Sequence, residues 1–572
     1  MYSDISYTTI DQAPTVTPAA PSIEDLSQLL DIHTLEYKKI DYHFQVGEIT
    51  QTQGWILHLS IVRSQIKEVF DAIIPVLKQE EVPFKIVQSM NVARSLLDGS
   101  LGYSMVGKII TVYPGSPSQA LSIAKKLASL TKHHKGPVIL TDVHLGSIVY
   151  TRYGSFNPVV KNDSLGKEIR YIYDHKMELV KDIYHIPFKM PAGIEWPFSD
   201  LATPKMDARP VLLNNRYKPM ETFKSDAKGD VVKAIFVEKF IIPHWCVIKQ
   251  GKINMWSDDH ARDITDRLVW QKEFHDAFEG LIPIPKILDF FREGKDTYLV
   301  MEYIKGDSLF DRLNAINKHC HCWDQWEAKD QLLFLNYFLQ LTDIINKIHQ
   351  HGYVHRDVTP VNFLINKKGA LVAIDSELAY SLKDKRPTPP FESGTRGFMS
   401  PQQEAVLTPT KEDDIFGLTA TMITIFTGLP PAMLDIKDPE SLVQKINYFI
   451  QNERLALLLG AGLSVSPEKR PTPSKISAAI AEYKKEISAP AHKHALKEDR
   501  RHYTGMDSLL QDAIRGLVQG PTLIVRDLWR SRTAARDAFS EKQLTEYTKS
   551  AGLYEGITGV LYFLGRAKKN GI

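Results

Sequence analysis

Between residues 54 and 156 the hydrophobic positions follow in turn the two-residue period of strands and the period of helices. In WILHLSIV (residues 55–62), the large apolar side chains lie on one side of a strand and His58 lies on the other. Helix and strand patterns then follow one another up to SIVYTRYGSF, among them a helix that Ser116 caps and Pro117 begins, and the predicted strand PVILTDV. A compact α+β domain is therefore predicted over residues 35–210, and its Pro- and Gly-rich last part is predicted to be a connector packed over a surface.

Residues 211–486 form a second region with its own strand and helix patterns. The segment LVMEYIKGDSL predicts a buried strand followed by a hinge, and the long apolar helix LFLNYFLQLTDIINKIH runs into His355. Apolar β-forming residues flank the polar stretch HRDVTPVN and the acidic residue of VAIDSEL. Both polar stretches are therefore expected in loops between short strands.

The two ends of the chain have different patterns. Residues 1–34 begin with a Pro- and Ala-rich stretch, predicted to be flexible, and end with the short amphipathic segment SIEDLSQLLDI. Residues 487–572 contain the charged linker APAHKHALKEDRRH and then a mostly helical pattern that ends in GLYEGITGVLYFLGRAKKNGI. This multidomain division suits a chain of 572 residues, which is too long for one core.

Composition argues against several classes of protein. A net charge of +2 gives no general attraction to nucleic acid or membrane, and three cysteines do not make a disulfide framework. Cys320-His321-Cys322 has no second ligand pair nearby, so no zinc is expected. The first residues do not form a signal peptide, and no apolar run is long enough to span a bilayer. A cytoplasmic enzyme is therefore expected.

Two acidic groups and an amide in HRDVTPVN and VAIDSEL suit phosphoryl transfer. Asp357 would accept the hydroxyl proton of the acceptor, and Asn362 and Asp375 would hold Mg²⁺ on the nucleotide phosphates. The cosubstrate would be ATP or GTP, and the sequence does not distinguish them.

Other parts of such a site occur in the required order. Lys249 ends a strand, where its ammonium can reach nucleotide phosphates, and Glu273 lies in a following helix, where it can pair with Lys249. Backbone groups around Glu302 and Ile304 can bind a purine edge. The loop FKSDAKGDVV, with Gly229, would cover the phosphates.

In this order the segments resemble the protein kinase fold, which implies a bilobal domain. Asp414 would then brace the catalytic loop. Thr359 stands where a Lys or Arg is usual, and DSE replaces DFG. The phosphate-covering loop has one glycine where three are typical, and Gln402 stands where a Glu normally pairs with an Arg, here Arg470. A pseudokinase that only binds peptide is the non-enzymatic alternative.

The first domain carries its own group of cations. His58, Lys85, Lys108 and Arg152 lie on predicted strands and can hold a phosphate dianion. A lysine crowded by cations has a lowered pKa, so it can act as a neutral base and remove an α-proton while phosphate is expelled. On these residues alone, the alternative that this is an ordinary sheet with a solvated polar face remains.

The order of GWILH, VPFK, GKIITVYP and YTRYGSF before a kinase-like domain resembles the class III lanthipeptide synthetases. The resemblance implies a phosphoSer/phosphoThr lyase in which His58 is the general acid, Lys85 the general base, and Lys108 and Arg152 phosphate ligands. Ile56 stands where that family usually has a lysine. Either the holding of phosphate or the stabilisation of the enolate is weakened, or another cation such as Arg94 supplies it.

The same resemblance implies a partial α-helical cyclase in residues 487–572, for which no ring-forming activity is expected. It also implies a partner, a precursor peptide with a leader helix and a core containing Ser and Thr. The segment at residues 23–32 is either a leader-like helix in the peptide groove or a helix packed on the lyase sheet.

The sequence therefore predicts a lanthipeptide dehydratase, which phosphorylates Ser or Thr and then eliminates phosphate to give dehydroalanine or dehydrobutyrine. The main alternative is a Ser/Thr peptide kinase whose first domain only binds phosphopeptide.

Overall fold

The part of the chain that the computed structural model describes is nearly continuous up to residue 489. It comprises residues 24–489 without 163–167, 203–211, 238–241, 318–322, 430 and 435, and four short strands, Leu523–Val525, Leu528–Trp529, Ser531–Arg532 and Tyr547–Thr548. The predicted cyclase-like helix pair and the Cys320-His321-Cys322 sequence lie outside the described residues.

A seven-stranded sheet forms the first domain. Its strands are β1 (Tyr37–Ile40), β2 (His43–Val46), β3 (Gln53–Leu59), β4 (Phe84–Val87), β5 (Ile110–Val112), β6 (Val143–Gly146) and β7 (Val149–Ser155). Its helices are α1 (Ser27–Ile32), α2 (Ile66–Gln79), α3 (Met90–Asp98) and α4 (Pro117–Leu130), with 3-10 turns at Arg63–Gln65 and Tyr103–Met105.

The strand order is β1-β2-β4-β5-β3-β7-β6, and every neighbouring pair is antiparallel. Trp55, Leu57 and Leu59 of β3 belong to one core with the apolar face of α2. Because side chains alternate along a strand, His58 emerges on the opposite side of the sheet. Ser116 caps α4 by accepting a hydrogen bond from the Gln119 amide at 3.1 Å, as predicted.

Helix α1 packs within the first domain. Leu26, Leu29 and Leu30 are fully buried and share the core of the sheet and α2. Of the two predictions for this segment, a helix packed on the sheet of the first domain therefore describes the structure. The reason is its apolar stripe, which is buried against the same domain.

The connector after β7 forms a small sheet of its own. Strands β8 (Val159–Asn162), β9 (Glu168–Tyr173) and β10 (Leu179–Lys181) pair in the order β10-β9-β8. Phe198, farther along the connector, contacts Trp55 in the first core. The apolar run PVILTDV, predicted as a strand, starts β6 only at Val143, because Asp142 turns inward to bond His58.

A five-stranded sheet and one helix form the first lobe of the second domain. The strands are β11 (Lys218–Asp226), β12 (Gly229–Val237), β13 (Pro243–Gly251), β14 (Ile287–Glu293) and β15 (Asp296–Glu302), and the helix is α5 (Ile264–Phe278). The strand order is β11-β12-β13-β15-β14. The glycine at position 229 is required because a Cβ there would overlap the Gln250 carbonyl.

The second lobe is mainly helical. Its helices are α6 (Leu309–Asn317), α7 (Ala328–Gln350), α8 (Pro401–Glu404), α9 (Lys411–Thr427), α10 (Pro439–Ile450), α11 (Glu453–Gly462) and α12 (Pro473–Ser488). The short strands are β16 (Gly306–Ser308), β17 (Tyr353–Val354), β18 (Phe363–Asn366), β19 (Leu371–Ala373) and β20 (Tyr380–Ser381), and 3-10 turns lie at Trp323–Gln325, Pro360–Asn362, Pro431–Met433 and Pro467–Lys469. Helices α7 and α9 lie in the largest apolar core of the described chain. No helix in the described ranges has the length and apolarity that crossing a membrane requires.

The two domains meet at the loop between β11 and β12. Val106 of the first domain shares a small apolar cluster with Ala227 and Met255 of the second. The Trp256 indole donates a hydrogen bond to the Asp98 carbonyl at 3.3 Å. Gly99, with a φ of +82°, leaves room for this contact, since a Cβ there would lie 2.6 Å from the Ala227 Cβ.

Gly99→Ala is therefore expected to destabilise the protein in two ways. A left-handed backbone conformation is about 1–2 kcal/mol less stable for a residue that has a Cβ. Overpacking against Ala227 adds about 1–3 kcal/mol. Gly280→Ala is the matched control, because Gly280 has a φ of +77° and no atom near its missing Cβ. Thermal unfolding of both variants measures the difference, and equal melting temperatures would contradict the close contact at Gly99.

Candidate active sites

The β18–β19 hairpin brings the three predicted phosphoryl-transfer residues together. Asn362 directly precedes β18 and Asp375 follows β19, and the Ile374 amide donates to the Asn362 carbonyl at 3.0 Å. The Asn362 side-chain amide donates to the Asp357 carboxylate at 2.7 Å and to the Asp357 carbonyl at 2.9 Å. The side chain and the backbone carbonyl of Asn362 together therefore hold Asp357 next to the segment that carries Asp375.

A buried carboxylate below the loop holds its backbone. Asp414 accepts hydrogen bonds from the amides of His355 at 2.8 Å and Arg356 at 2.7 Å, and from the His349 ring at 2.8 Å. Arg356 has a φ of +66°, a strained conformation for a non-glycine residue. The predicted brace is confirmed, and it offsets this strain.

A second predicted contact is also present in the helical lobe. The Arg470 guanidinium donates to the Gln402 side-chain oxygen at 2.6 Å, so the amide accepts the bond that a glutamate would accept.

The two acidic groups of the site have opposite pKa shifts. Burial and then the negative charge of Asp375 raise the pKa of Asp357. Burial alone would raise the pKa of Asp375, but Lys249 and Lys228 outweigh it and hold this pKa at about 2. Asp375 is therefore a permanent anion, and Asp357 is the better proton acceptor. Thr395 donates a hydrogen bond to Asp357 at 2.9 Å.

The donor set fits a magnesium ion. Asp375 supplies an ionised carboxylate, and Asn362 uses its NH₂ group for Asp357, which leaves its carbonyl oxygen for another partner. Hard oxygen ligands of this kind, completed by phosphate oxygens and water, are those that Mg²⁺ prefers.

Lys249 does not pair with Glu273. Its ammonium lies 2.8 Å from the Asp375 carboxylate and 3.1 Å from the Gln271 side-chain oxygen. Gln271 is fully buried, whereas the Glu273 carboxylate lies on the exposed side of α5, 3.4 Å from Arg386. The prediction for Glu273 is therefore wrong in position, because residues two apart on a helix face different directions.

The nucleotide-side residues lie at strand ends. Glu302 ends β15, and its amide already donates to the Lys286 carbonyl at 2.8 Å, so this amide is not available to a purine. Ile304 follows in the hinge before β16. Gly229 begins β12 after the loop that would cover the phosphates.

Sequence reasoning missed Lys228 in that loop. Its buried ammonium lies 2.7 Å from the Glu377 carboxylate and 4.4 Å from the centre of the Trp256 ring. The negative charge of Asp375 also acts on it. Lys228 is therefore a further cation beside the acidic pair, and its place directly before Gly229 was the signal that could have identified it.

In the first domain, one row of polar residues crosses all seven strands. Each residue is the direct cross-strand partner of the next, so all lie on one face. The row consists of Lys38, Gln45, Lys85, Thr111, His58, Tyr150 and His144. Lys85 and His58 are thus separated by a single strand on the same side of the sheet.

His58 is bound by a buried carboxylate that sequence reasoning also missed. Its Nδ1 lies 2.6 Å from Asp142, and the Lys108 ammonium lies 3.3 Å from the other oxygen of that carboxylate. Burial lowers the pKa of His58 to about 4, although Asp142 favours the charged form. Burial alone would raise the pKa of Asp142, but Lys108 and His58 hold it well below its usual range. The imidazole is therefore neutral here and is oriented by an anion.

Arg152 lies on the same face of the sheet, beyond His58. It is 3% exposed, and its guanidinium lies 2.7 Å from Asp182 of the connector. The ring of Tyr184 covers it, with a centre 3.9 Å from the guanidinium carbon and 4.7 Å from the Lys108 ammonium. A connector carboxylate thus occupies the side of Arg152 where the sequence predicts a phosphate.

Lys85 has the environment expected of a base, and Arg94 does not belong to this site. Burial lowers the pKa of Lys85, and Arg170 and Lys38 act in the same direction against Asp41. The prediction that Arg94 replaces the missing lysine is wrong in position. Helix α3 directs Arg94 to the second domain, 3.5 Å from Glu392, because its opposite face is buried in the first core.

Gln271→Ala is expected to weaken nucleotide binding and phosphoryl transfer, because it removes the bond that orients the Lys249 ammonium. A hydrogen bond to a charged group contributes about 1.5–3 kcal/mol, or about tenfold or more in affinity. Glu273→Ala, on the exposed side of the same helix, is the control and should change affinity less than about twofold. Titration with a fluorescent nucleotide measures both. A large loss in Glu273→Ala with none in Gln271→Ala would contradict this geometry.

Each of the two domains matches a known family. The family described as RamC, N-terminal domain, matches residues 38–209, and the protein kinase domain family matches residues 274–482. The kinase match includes the catalytic loop and Asp375, whereas Gly229 and Lys249 precede it.

Individual relatives agree with this assignment. A probable SapB synthase of Streptomyces coelicolor is 22% identical over 340 residues, which are 58% of this chain and 36% of that protein. Serine/threonine-protein kinase C of Synechocystis is 27% identical and covers 39% of this chain and 41% of its own length. Serine/threonine-protein kinase PknB of Mycolicibacterium smegmatis is 28% identical, covering 31% of this chain and 28% of its own length.

The matched part of the chain thus spans less than half the length of each of these relatives. The resemblance predicted from the sequence is confirmed: a RamC-type N-terminal domain precedes a protein kinase domain, as in the class III lanthipeptide synthetases.

Proposed function

We propose that this chain dehydrates Ser and Thr residues of a ribosomally made precursor peptide in two steps. The kinase domain transfers phosphate to the side-chain hydroxyl, and the first domain then eliminates it. The proposal rests above all on the shared face of Lys85 and His58, with Lys108 and Arg152 beside them, in a chain that also carries a kinase site.

In the first step, Asp357 takes the proton of the peptide hydroxyl as its oxygen attacks the terminal phosphorus. The bond from that phosphorus to the bridging oxygen breaks, and the nucleoside diphosphate leaves. Asn362 and Asp375 would hold magnesium, which supplies positive charge to the phosphates. Lys249 and Lys228 add further positive charge beside the phosphate loop, and Thr395 keeps the Asp357 carboxylate in place.

In the second step, Lys85 acts as a neutral amine and removes the α-proton of the phosphorylated residue. The electron pair forms the Cα–Cβ double bond as the Cβ–O bond breaks, and the phosphate leaves with a proton from His58. The dianion of the substrate adds negative charge beside the imidazole, which raises the pKa of His58 from its resting value of about 4. Asp142 holds the ring for this transfer.

A carboxylate already occupies the cation that would bind the phosphate of the substrate. Because Asp182 already pairs with Arg152, an incoming phosphate would replace one anion by another instead of entering an empty cation pocket. Lys108 is buried and its ammonium pairs with Asp142 at 3.3 Å, so a phosphate oxygen would give this cation a second anionic partner.

Lys85→Ala is expected to stop the reaction after phosphorylation, because it removes the base while the kinase domain stays intact. The experiment is mass spectrometry of a Ser- and Thr-containing lanthipeptide precursor incubated with the chain, Mg²⁺ and ATP or GTP. The unmodified chain should give net loss of water, and Lys85→Ala should accumulate phosphopeptide. Lys78→Ala, on the far face of the domain, is the control.

Other results distinguish the alternatives. If the unmodified chain itself accumulates phosphopeptide, the first domain only binds it, and unchanged peptide mass would support a binding scaffold.

Asp142→Asn is expected to slow elimination from a synthetic phosphopeptide by about 10²-fold or more, the usual contribution of acid catalysis. Removal of the Asp142 charge lowers the pKa of His58. The protonated form of His58, which donates the proton, therefore disappears at a lower pH. The alkaline limb of the rate profile should therefore move to lower pH. Rates measured across pH without nucleotide test this, with the exposed Asp200→Asn as control. Retained phosphorylation would show that the variant is folded, and an unshifted limb would contradict the role of Asp142.

A further inference from the structure

Two arginines of the first domain contact the kinase segment that precedes α8. Arg63 Nη1 lies 3.0 Å from the Glu392 carboxylate, and Arg94 Nη1 lies 3.5 Å from the same oxygen. Arg63 is buried and also bonds Asp259 at 2.5 Å. Glu392 is therefore held from outside the kinase domain by two positive charges.

The kinase domain holds the same segment by its backbone. Arg267 of α5 donates to the Glu392 carbonyl at 2.9 Å, and Arg262 donates to the Pro389 carbonyl at 2.6 Å. The Glu392 side chain and main chain are thus fixed from two domains at once.

This anchor is directly connected to the catalytic loop. The side-chain amide of Gln403 donates to the Ser393 carbonyl at 3.1 Å and to the Arg356 carbonyl at 2.8 Å. Thr395 then donates to the Asp357 carboxylate. Displacement of Glu392 would therefore move the residue that orients the proposed base.

We infer that Arg63 and Arg94 are positioning residues for phosphoryl transfer, acting through Glu392. In many kinases a phosphorylated side chain pairs with arginines and orders this segment. Here a carboxylate of the segment itself meets the arginines, and the first domain supplies them. The inference rests on the proposed phosphoryl transfer, and it adds that the kinase needs its N-terminal neighbour but no phosphate of its own.

The decisive variants are Glu392→Ala and Arg94→Ala in the full chain. Phosphorylation of the precursor peptide should show a kcat lower by about 10- to 100-fold, the effect of a small misplacement of catalytic groups. Nucleotide affinity should stay within about twofold, since neither residue lies at the nucleotide-side strand ends. Elimination from a synthetic phosphopeptide, which uses the opposite face of the first domain, should be unchanged.

Matched controls separate positioning from general loss of fold. Arg94→Lys keeps the charge and should recover much of the rate. Arg454→Ala removes an arginine from the exposed pair with Glu482 and should be neutral. If Glu392→Ala does not fold, Glu392→Gln, which keeps the size of the side chain, takes its place. The unmodified chain should also keep its rate after phosphatase treatment.

Three outcomes would overturn the inference: a kcat unchanged in the Glu392 and Arg94 variants, elimination that falls in parallel with phosphorylation, or loss of rate after phosphatase treatment. They differ from failure of the proposed function, in which the unmodified chain itself would phosphorylate no peptide.

Discussion

Each of the two candidate sites is built on its own buried carboxylate, and the partners of that carboxylate are groups of the protein. Asp414 carries the backbone of the catalytic loop, and Asp142 carries the imidazole of His58 together with the Lys108 ammonium. An unpaired charge at either place would be costly, so the surrounding donors are fixed as firmly as the carboxylate itself. Each candidate site thereby rests on a rigid, fully paired anion.

The sequence predicts most of what is encoded by local spacing. The order of Asp357, Asn362 and Asp375 along one hairpin, the cap at Ser116 and the alternation in β3 depend on near neighbours, and the structure has all of them. The bond between Arg470 and Gln402 spans a longer distance, but the kinase resemblance supplied it.

The rest could not be predicted, because it depends on helix phase and on contacts between distant segments. Gln271 and Glu273 are both polar residues on one short helix, and only packing decides which faces Lys249. The partner of Arg94 lies in another domain, and the carboxylate that meets Arg152 comes from the connector. Asp142 ends an apolar run that predicts a strand, so its turn toward His58 leaves no local pattern.

The row that crosses the first sheet from Lys38 to His144 has a mechanical consequence. Every strand contributes one position to it, and side chains alternate between faces, so a slip of a single residue in one strand would send its member of the row into the apolar layer beneath. Single insertions or deletions should thus be tolerated in the turns between strands and not within them. The arrangement of the polar groups on this surface is thus tied to the alignment of the whole sheet.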